Sequence, residues 1–371
     1  MIKKVFVLLV VALLAFTALT GCSSETPSGD TGSSTTPPEP AEASASSDTG
    51  TAESVAPEVS GDTAGASGSV DLVWVHMSPS AQSEQRAYAG FTAYLEEKGW
   101  NWNVTEVNSD GSGDKMATNI EDAVAKGCDA IIVSMADLRA STAALEAANK
   151  ANIPVFSIDS QYTPGVVCDI TSNNYVMSSK VSSYLVDRLG GVGNVCALTM
   201  AEHHGVRKRG EVMTDVILAE NPGIKLLENH NIDYGNFYAD SQKTAEDWLA
   251  KYGDQIDAIW AGWDEPAMAA SDAIKAAGFT RDDMFVTGID GHEGAVNMIR
   301  NGDPLVATCA QGFEIFGVKC ADLVQAIIVE GKPQSEVVTT TTIYVDAPLI
   351  TPTNCPDANT PAYLAVDFYE S

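Results

Sequence analysis

Residues 128–135 read CDAIIVSM, and this run decides the fold. It is short, almost wholly apolar, and follows a turn at Gly127. Such a run, without polar alternation, reads as a strand buried on both faces. Strands of that kind belong to parallel sheets with helices packed on each side. The flanks agree. Asp114 to Lys126 carries a helical pattern that stops at Gly127. Ser141 to Ala151 carries another and leads into a second apolar run, IPVFSID (153–159).

The alternation extends in both directions. Upstream lie VDLVWVHM (70–77), a helix from Ala81 to Lys98 ending at Gly99, and the strand WNVTEV (102–107). Downstream, a helix from Tyr175 to Leu189 precedes GNVCALTM (193–200). A helix from Val206 to Glu220 precedes IKLLENHN (224–231). A helix from Ser241 to Lys251 precedes IDAIWAG (256–262), and one from Ala267 to Ala277 precedes MFVTGID (284–290). Two strict strand–helix series predict two doubly wound α/β domains, each built on a parallel sheet.

Before residue 70 the composition changes. Lys3 and Lys4 precede an apolar run from Val5 to Leu19, which leads into Leu19-Thr20-Gly21-Cys22. A basic start, a short apolar core and small residues at a cut site make a secretory signal over 1–21. The run falls short of the roughly 20 residues that span a bilayer as a helix. Its LTGC ending resembles a bacterial lipobox. That resemblance implies cleavage before Cys22 and lipidation of its sulfur. From 23 to 69 the chain is almost all Ser, Thr, Gly, Ala, Pro, Asp and Glu, with no aromatic or basic residue. Such a segment cannot bury enough apolar surface to offset its ordering entropy. Residues 22–69 are therefore expected to form a lipidated, disordered acidic linker with a reach of roughly 35–40 Å. The expected location is extracytoplasmic, on a bacterial membrane through the lipid.

The whole chain carries 50 acidic and 21 basic residues. Setting aside the eight acidic residues of 23–69 and the two lysines at 3 and 4 leaves 42 acidic and 19 basic, a net charge of −23. That sign excludes a nucleic-acid partner, which needs a basic footprint. It also disfavours contact with anionic lipid beyond the anchor. Apart from Cys22 there are six cysteines, none in a CxxC pair. Cys128 and Cys196 sit in strand-like runs and read as small core residues. Free thiols are expected, and no metal site.

In doubly wound sheets, ligands bind beyond the carboxyl ends of the strands. The polar residues at those ends are Ser78 to Glu84, Asp137, Asp159-Ser160, Glu202-His203-His204, Trp263-Asp264-Glu265 and Asp290. They come from both series, so the site is expected in a cleft between the domains. His203 and His204 read as loop residues beside it. No GxSxG, P-loop, HExxH or Gly-rich dinucleotide motif occurs, so no enzyme, catalytic residue or cofactor is expected.

Taken in order and spacing, these strand ends resemble the sugar-binding members of the type I periplasmic binding proteins. These are receptors of ABC importers of the ribose, galactose, xylose and polyol class. The resemblance runs from about Asp71 to about Asn354. It implies ligand contact by Asp159 in ANIPVFSID (151–159), by Arg209 in RKRG (207–210), by Asp290 in TGIDG (287–291), and by Gln311 in ATCAQGFEIFG (307–317). In WAGWDEPAMAASDA (260–273), Trp263 replaces the family's asparagine and implies stacking in place of a hydrogen bond. Phe237 falls near the family's stacking aromatic. Ser83 and Glu84 fall where ribose-type proteins carry two aromatics, which implies a more polar ligand or one stacked only on Trp263 and Phe237.

The resemblance further implies a three-strand hinge, with crossings near Ser172–Asn174, Ala310–Gly312 and Val345–Thr351. The N-terminal domain is then 70–173 plus 312–345, and the C-terminal domain 174–311 plus 346–371. A monomer is expected that captures a small sugar or polyol by hinge closure and delivers it to an ABC permease. A receptor of the same fold that hands its closed form to a membrane sensor, or that binds a furanosyl-type autoinducer, is the alternative. A lipid-anchored enzyme is the less favoured reading.

Overall fold

A computed structural model describes residues 69–370. The expected signal segment, Cys22 and the acidic linker up to residue 68 lie outside the described residues.

The first series is β1 (Asp71–His76), α1 (Gln82–Lys98), β2 (Asn103–Asn108), α2 (Gly113–Lys126), β3 (Ala130–Ser134), α3 (Thr142–Lys150), β4 (Val155–Ile158) and β5 (Asp169–Thr171). The second is α4 (Asn174–Leu189), β6 (Gly193–Thr199), α5 (His204–Glu211), β7 (Ile224–Asn231), α6 (Phe237–Tyr252), β8 (Ala258–Ala261), α7 (Asp264–Ala276), β9 (Phe285–Ile289), α8 (Glu293–Asn301) and β10 (Leu305–Cys309). The chain then returns through α9 (Phe313–Val324) and β11 (Thr342–Tyr344) to the first lobe, and through β12 (Leu349–Ile350) to the second.

Two six-stranded sheets result, in the orders β11-β5-β4-β3-β1-β2 and β12-β10-β9-β8-β6-β7. Every pairing is parallel except that of β12 with β10. The chain therefore passes between the sheets after β5, after β10 and after β11.

Strand period explains the layering. Along β1, Leu72 and Trp74 pack on one side of the sheet, while Val73 and Val75 pack on the other. Ile132 and Ile131 divide the same way on β3. Both faces of the run at 128–135 are thus dry, as its unbroken apolar character requires. The second sheet is sandwiched in the same manner.

Capping sets the helix bounds. Gly99, Gly127 and Gly190 end α1, α2 and α4 in the left-handed conformation that glycine adopts without steric cost. Asn173 accepts from the Tyr175 and Val176 amides and starts α4 at the first crossing.

The helices expected at Val206–Glu220 and Ser241–Lys251 differ at their ends. His203 Nδ1 accepts from the Gly205 and Val206 amides, which starts α5 at His204. Beyond Glu211 that helix winds through wider π turns to Leu218. A short 3₁₀ turn at Tyr234–Asn236 runs straight into α6, which begins at Phe237. Strand β5 has only three residues, too few for a periodic signal. No described helix is long and apolar enough to cross a membrane.

Candidate functional site

The carboxyl ends of the central strands of both sheets face a small chamber of about 50 Å³. The first lobe contributes Ala81, Ser83, Met135, Asp159 and Phe313. The second contributes Met200, His203, Val206, Arg209, Tyr234, Phe237, Trp263, Glu265 and Asp290. A space of that size holds only a few waters. A wider groove of about 1080 Å³ adjoins it and shares Met200, His203 and Tyr234.

Arg209 is the centre of the polar network. It projects from α5 and is buried. Its Nε donates to Asn174 Oδ1 at 2.7 Å, and its Nη1 donates to the Gly262 carbonyl at 2.9 Å and to Asp290 Oδ1 at 3.3 Å. Asp290 follows β9 and also accepts from Gln311 Nε2 at 2.8 Å. Burial raises the Asp290 carboxyl to about 6, against the opposing pull of Arg209 and Gln311. Its φ of 135° is a region that glycine favours. A residue held there stores roughly 1–3 kcal/mol, and such strain clusters at functional sites.

Asp159 stands at the end of β4 with a φ of 45°, and it accepts from Thr171 Oγ1 at 2.6 Å. It faces His203, whose proton affinity burial lowers and the Asp159 charge raises, with a net downward shift. Trp263 is buried and packs edge-on to Phe237, ring centres 6.0 Å apart at 61°. Glu265, in the first turn of α7, is raised to about 7 by burial and by the charge of Asp290. The chamber therefore combines three carboxyls, one guanidinium, neutral imidazole and a flat apolar wall.

Of the eight residues expected to touch a ligand, Ser83, Asp159, Arg209, Phe237, Trp263 and Asp290 line the chamber. Glu84 and Gln311 do not. Glu84 is fully buried beneath the β1–α1 loop. Its Oε1 accepts from the Met77 and Ser78 amides at 2.8 and 3.2 Å, and its Oε2 meets His76 Nδ1 at 3.0 Å and the Ser134 hydroxyl. A carboxylate so fully engaged fixes its own loop and has no free oxygen for a ligand. Gln311 is buried, and its amide nitrogen donates to Asp290, while its Oε1 has no hydrogen-bond partner.

Glu265 and Tyr234 line the chamber without having been singled out as ligand residues. Glu265 lay within the strand-end segment already marked at Trp263–Glu265. Tyr234 lies in a one-turn helix that no sequence period marks. Asp264, between Trp263 and Glu265, turns the other way. Its Oδ2 accepts from the His292 amide at 2.8 Å and the Thr308 hydroxyl at 2.9 Å.

Among the described residues, no group of three or more His, Cys, Asp or Glu side chains is placed to hold a metal ion. Cys128, Cys168, Cys196, Cys309, Cys320 and Cys355 are free thiols, as expected, and five of them are buried.

Comparison with known proteins follows the same lines. The periplasmic binding protein domain family matches residues 75–333. A D-apiose import binding protein of Paraburkholderia graminis is 30% identical over 255 residues, which are 67% of this chain and 79% of that protein. A xylitol-binding protein of Mycolicibacterium smegmatis is 29% identical over 205 residues, 54% of this chain. That match spans only 56% of the xylitol-binding protein's own length. The crystal structure of an ABC sugar transporter subunit from Rhodobacter sphaeroides superposes with a TM-score of 0.67 at 26% identity, over 76% of this chain and 99% of that one.

Proposed function

The chain belongs to the periplasmic binding protein family, a family of solute binders and not of enzymes, and we propose that it captures a small sugar or polyol by closing its two lobes. The observation that carries this reading is the Arg209–Asp290 pair beside the Trp263 ring, in a chamber lined by both lobes.

The chemistry suits a polyol. Ionised Asp accepts only, so Asp159 and Asp290 take hydroxyl protons, while Arg209 donates in a fixed fork. Trp263 and Phe237 offer apolar faces to the C–H side of a sugar. The chamber is too small for a sugar as it stands, so loading requires the lobes to part. A ligand that touches both lobes then stabilises the closed form, which presents a new surface to a partner. That partner is an ABC permease, by analogy with the ABC sugar transporter subunit on which the chain superposes. Cys22 carries the lipid that tethers the monomer outside the membrane.

Thermal unfolding of the purified protein with xylitol, D-apiose and D-ribose tests the ligand class. A sugar at a hundredfold excess over its Kd adds about 2.7 kcal/mol. At least one should raise Tm saturably, and calorimetry should give one site. No shift from any of a broader set of pentoses, hexoses and polyols would overturn the reading.

A further inference from the structure

Arg86 on α1 takes no place in the chamber, yet its guanidinium makes four hydrogen bonds, two within its own lobe and two to the other lobe. Nε and Nη2 pair with Glu314 on α9 at 2.7 and 2.9 Å. Nη1 donates to the Asp290 carbonyl at 3.0 Å, and Nη2 also donates to the Gln311 carbonyl at 2.9 Å. The pair is partly buried, with Arg86 15% and Glu314 31% exposed. The guanidinium also lies 5.1 Å from the Phe313 ring centre.

The sequence builds this arrangement deliberately. A Cβ at Gly90 would stand 2.4 Å from the Glu314 carbonyl oxygen, and one at Gly317 would stand 2.2 Å from that of Ala87. Glycine at both positions lets α1 and α9 meet backbone to backbone, which brings Arg86 to Glu314. A bidentate arginine–carboxylate pair has fixed geometry. Two of the three remaining donors of the fork therefore point where α1 and α9 aim them, at the carbonyls of Asp290 and Gln311.

Those two residues are already coupled. The Gln311 amide donates to the Asp290 carbonyl at 3.1 Å, and the Gln311 side chain holds Asp290 Oδ1. The Asp290 backbone lies in a conformation that only its surroundings can impose. We propose that Arg86 is a positioning residue that holds the Asp290 backbone, and hence its carboxylate, through the ion pair of the opposite lobe. The inference rests on the reading of Asp290 as a ligand group.

Two measurements on the full-length protein test it. The first needs no ligand. Hydrogen exchange of Arg86→Met should show the Gln311 and Gly291 amides exchanging roughly tenfold faster, with Ile131 to Val133 in β3 unchanged. Unchanged exchange at Gln311, or a uniform rise throughout the chain, overturns the proposal. If Arg86→Met folds poorly, Glu314→Gln should give the same local pattern more weakly, and its failure to do so overturns it equally.

The second uses whichever of xylitol, D-apiose or D-ribose binds. Arg86→Met should raise Kd roughly tenfold in the wild-type background and have no effect in Asp290→Asn. Additive losses overturn the coupling. An Asp290→Asn variant with wild-type affinity overturns instead the reading of the chamber, and the exchange result still decides Arg86.

Discussion

Arg209 Nη1 lies 3.3 Å from Asp290 Oδ1, and both side chains are buried where the two lobes meet. Each also has a second neutral partner, Asn174 for the arginine and Gln311 for the aspartate. The pair is therefore held in place by protein groups on both sides. If these two groups meet the ligand, as proposed, such support lowers the entropic cost of association.

Replacing Asp290 separates recognition from folding. Asp290→Asn keeps the shape and one acceptor but removes the charge. Losing a charged hydrogen bond to a ligand hydroxyl costs about 1.5–3 kcal/mol, which is roughly ten- to a hundredfold in Kd. Calorimetry should show that loss while Tm moves by only a few degrees. Wild-type affinity would reduce Asp290 to a structural residue.

The pH dependence of stability follows from Glu265, raised from 4.5 to about 7 by burial and by Asp290. The folded protein binds the Glu265 proton more tightly than the unfolded chain does. The associated stability is complete below about pH 4.5 and is lost as pH rises to about 7, a total of roughly 3 kcal/mol. Glu265→Gln is neutral throughout and lacks that slope. His292, lowered to about 4 by burial, acts oppositely, losing stability as pH falls, but it does so in both proteins. The difference between their chemical-denaturation curves from pH 4.5 to 7 should therefore isolate Glu265. Parallel curves would show that its carboxyl is solvated.

Gly288 explains why the TGIDG segment carries glycine before its aspartate. A Cβ there would lie 2.3 Å from Asp264 Oδ1 and 2.9 Å from Ala267 Cβ. Gly288→Ala should destabilise the fold by about 1–3 kcal/mol through overpacking, and urea denaturation measures it. The loss should appear without ligand, which distinguishes it from Asp290→Asn.

The strand–helix alternation was legible because strands such as β3 are apolar on both faces, and glycine ends the helices between them. That Asp159 and Asp290 line the chamber was legible because both follow strand ends. Orientation was not. Glu84 occupies a position suited to a ligand, but the two amides beside it and His76 below turn its carboxylate inward. Gln311 sits one step behind the chamber, where its amide nitrogen donates to Asp290 and its Oε1 has no partner. In Trp263-Asp264-Glu265 the outer two residues face the chamber and the middle one faces Thr308. That division depends on how α7 starts, which no residue pattern specifies.

The proposed lipid anchor at Cys22 makes a prediction independent of the chamber. Cys22→Ala should abolish lipid labelling and move the protein from the detergent phase to the aqueous phase. Sugar affinity should be unchanged, because Cys22 precedes the first described strand, which begins at Asp71. Equal labelling of variant and wild type would sink the lipobox reading.

Trp263 supplies the sharpest test of what the chamber accepts. The indole is 7% exposed and stands edge-on to Phe237. A sugar face laid against it should shift the intrinsic fluorescence. Trp74, Trp100, Trp102, Trp248 and Trp260 also emit, so the signal is assigned by comparing variants. Trp263→Ala should remove most of the ligand-induced change and weaken binding by roughly tenfold, as expected for losing an aromatic wall. Trp263→Asn replaces a flat apolar face with a donor and an acceptor. It should weaken the native ligand while improving relative affinity for D-ribose, since specificity is a difference between two affinities. Fluorescence titration and calorimetry on the same samples decide. If Trp263→Ala keeps both the spectral shift and wild-type Kd, the ring is core packing and the ligand lies against another wall.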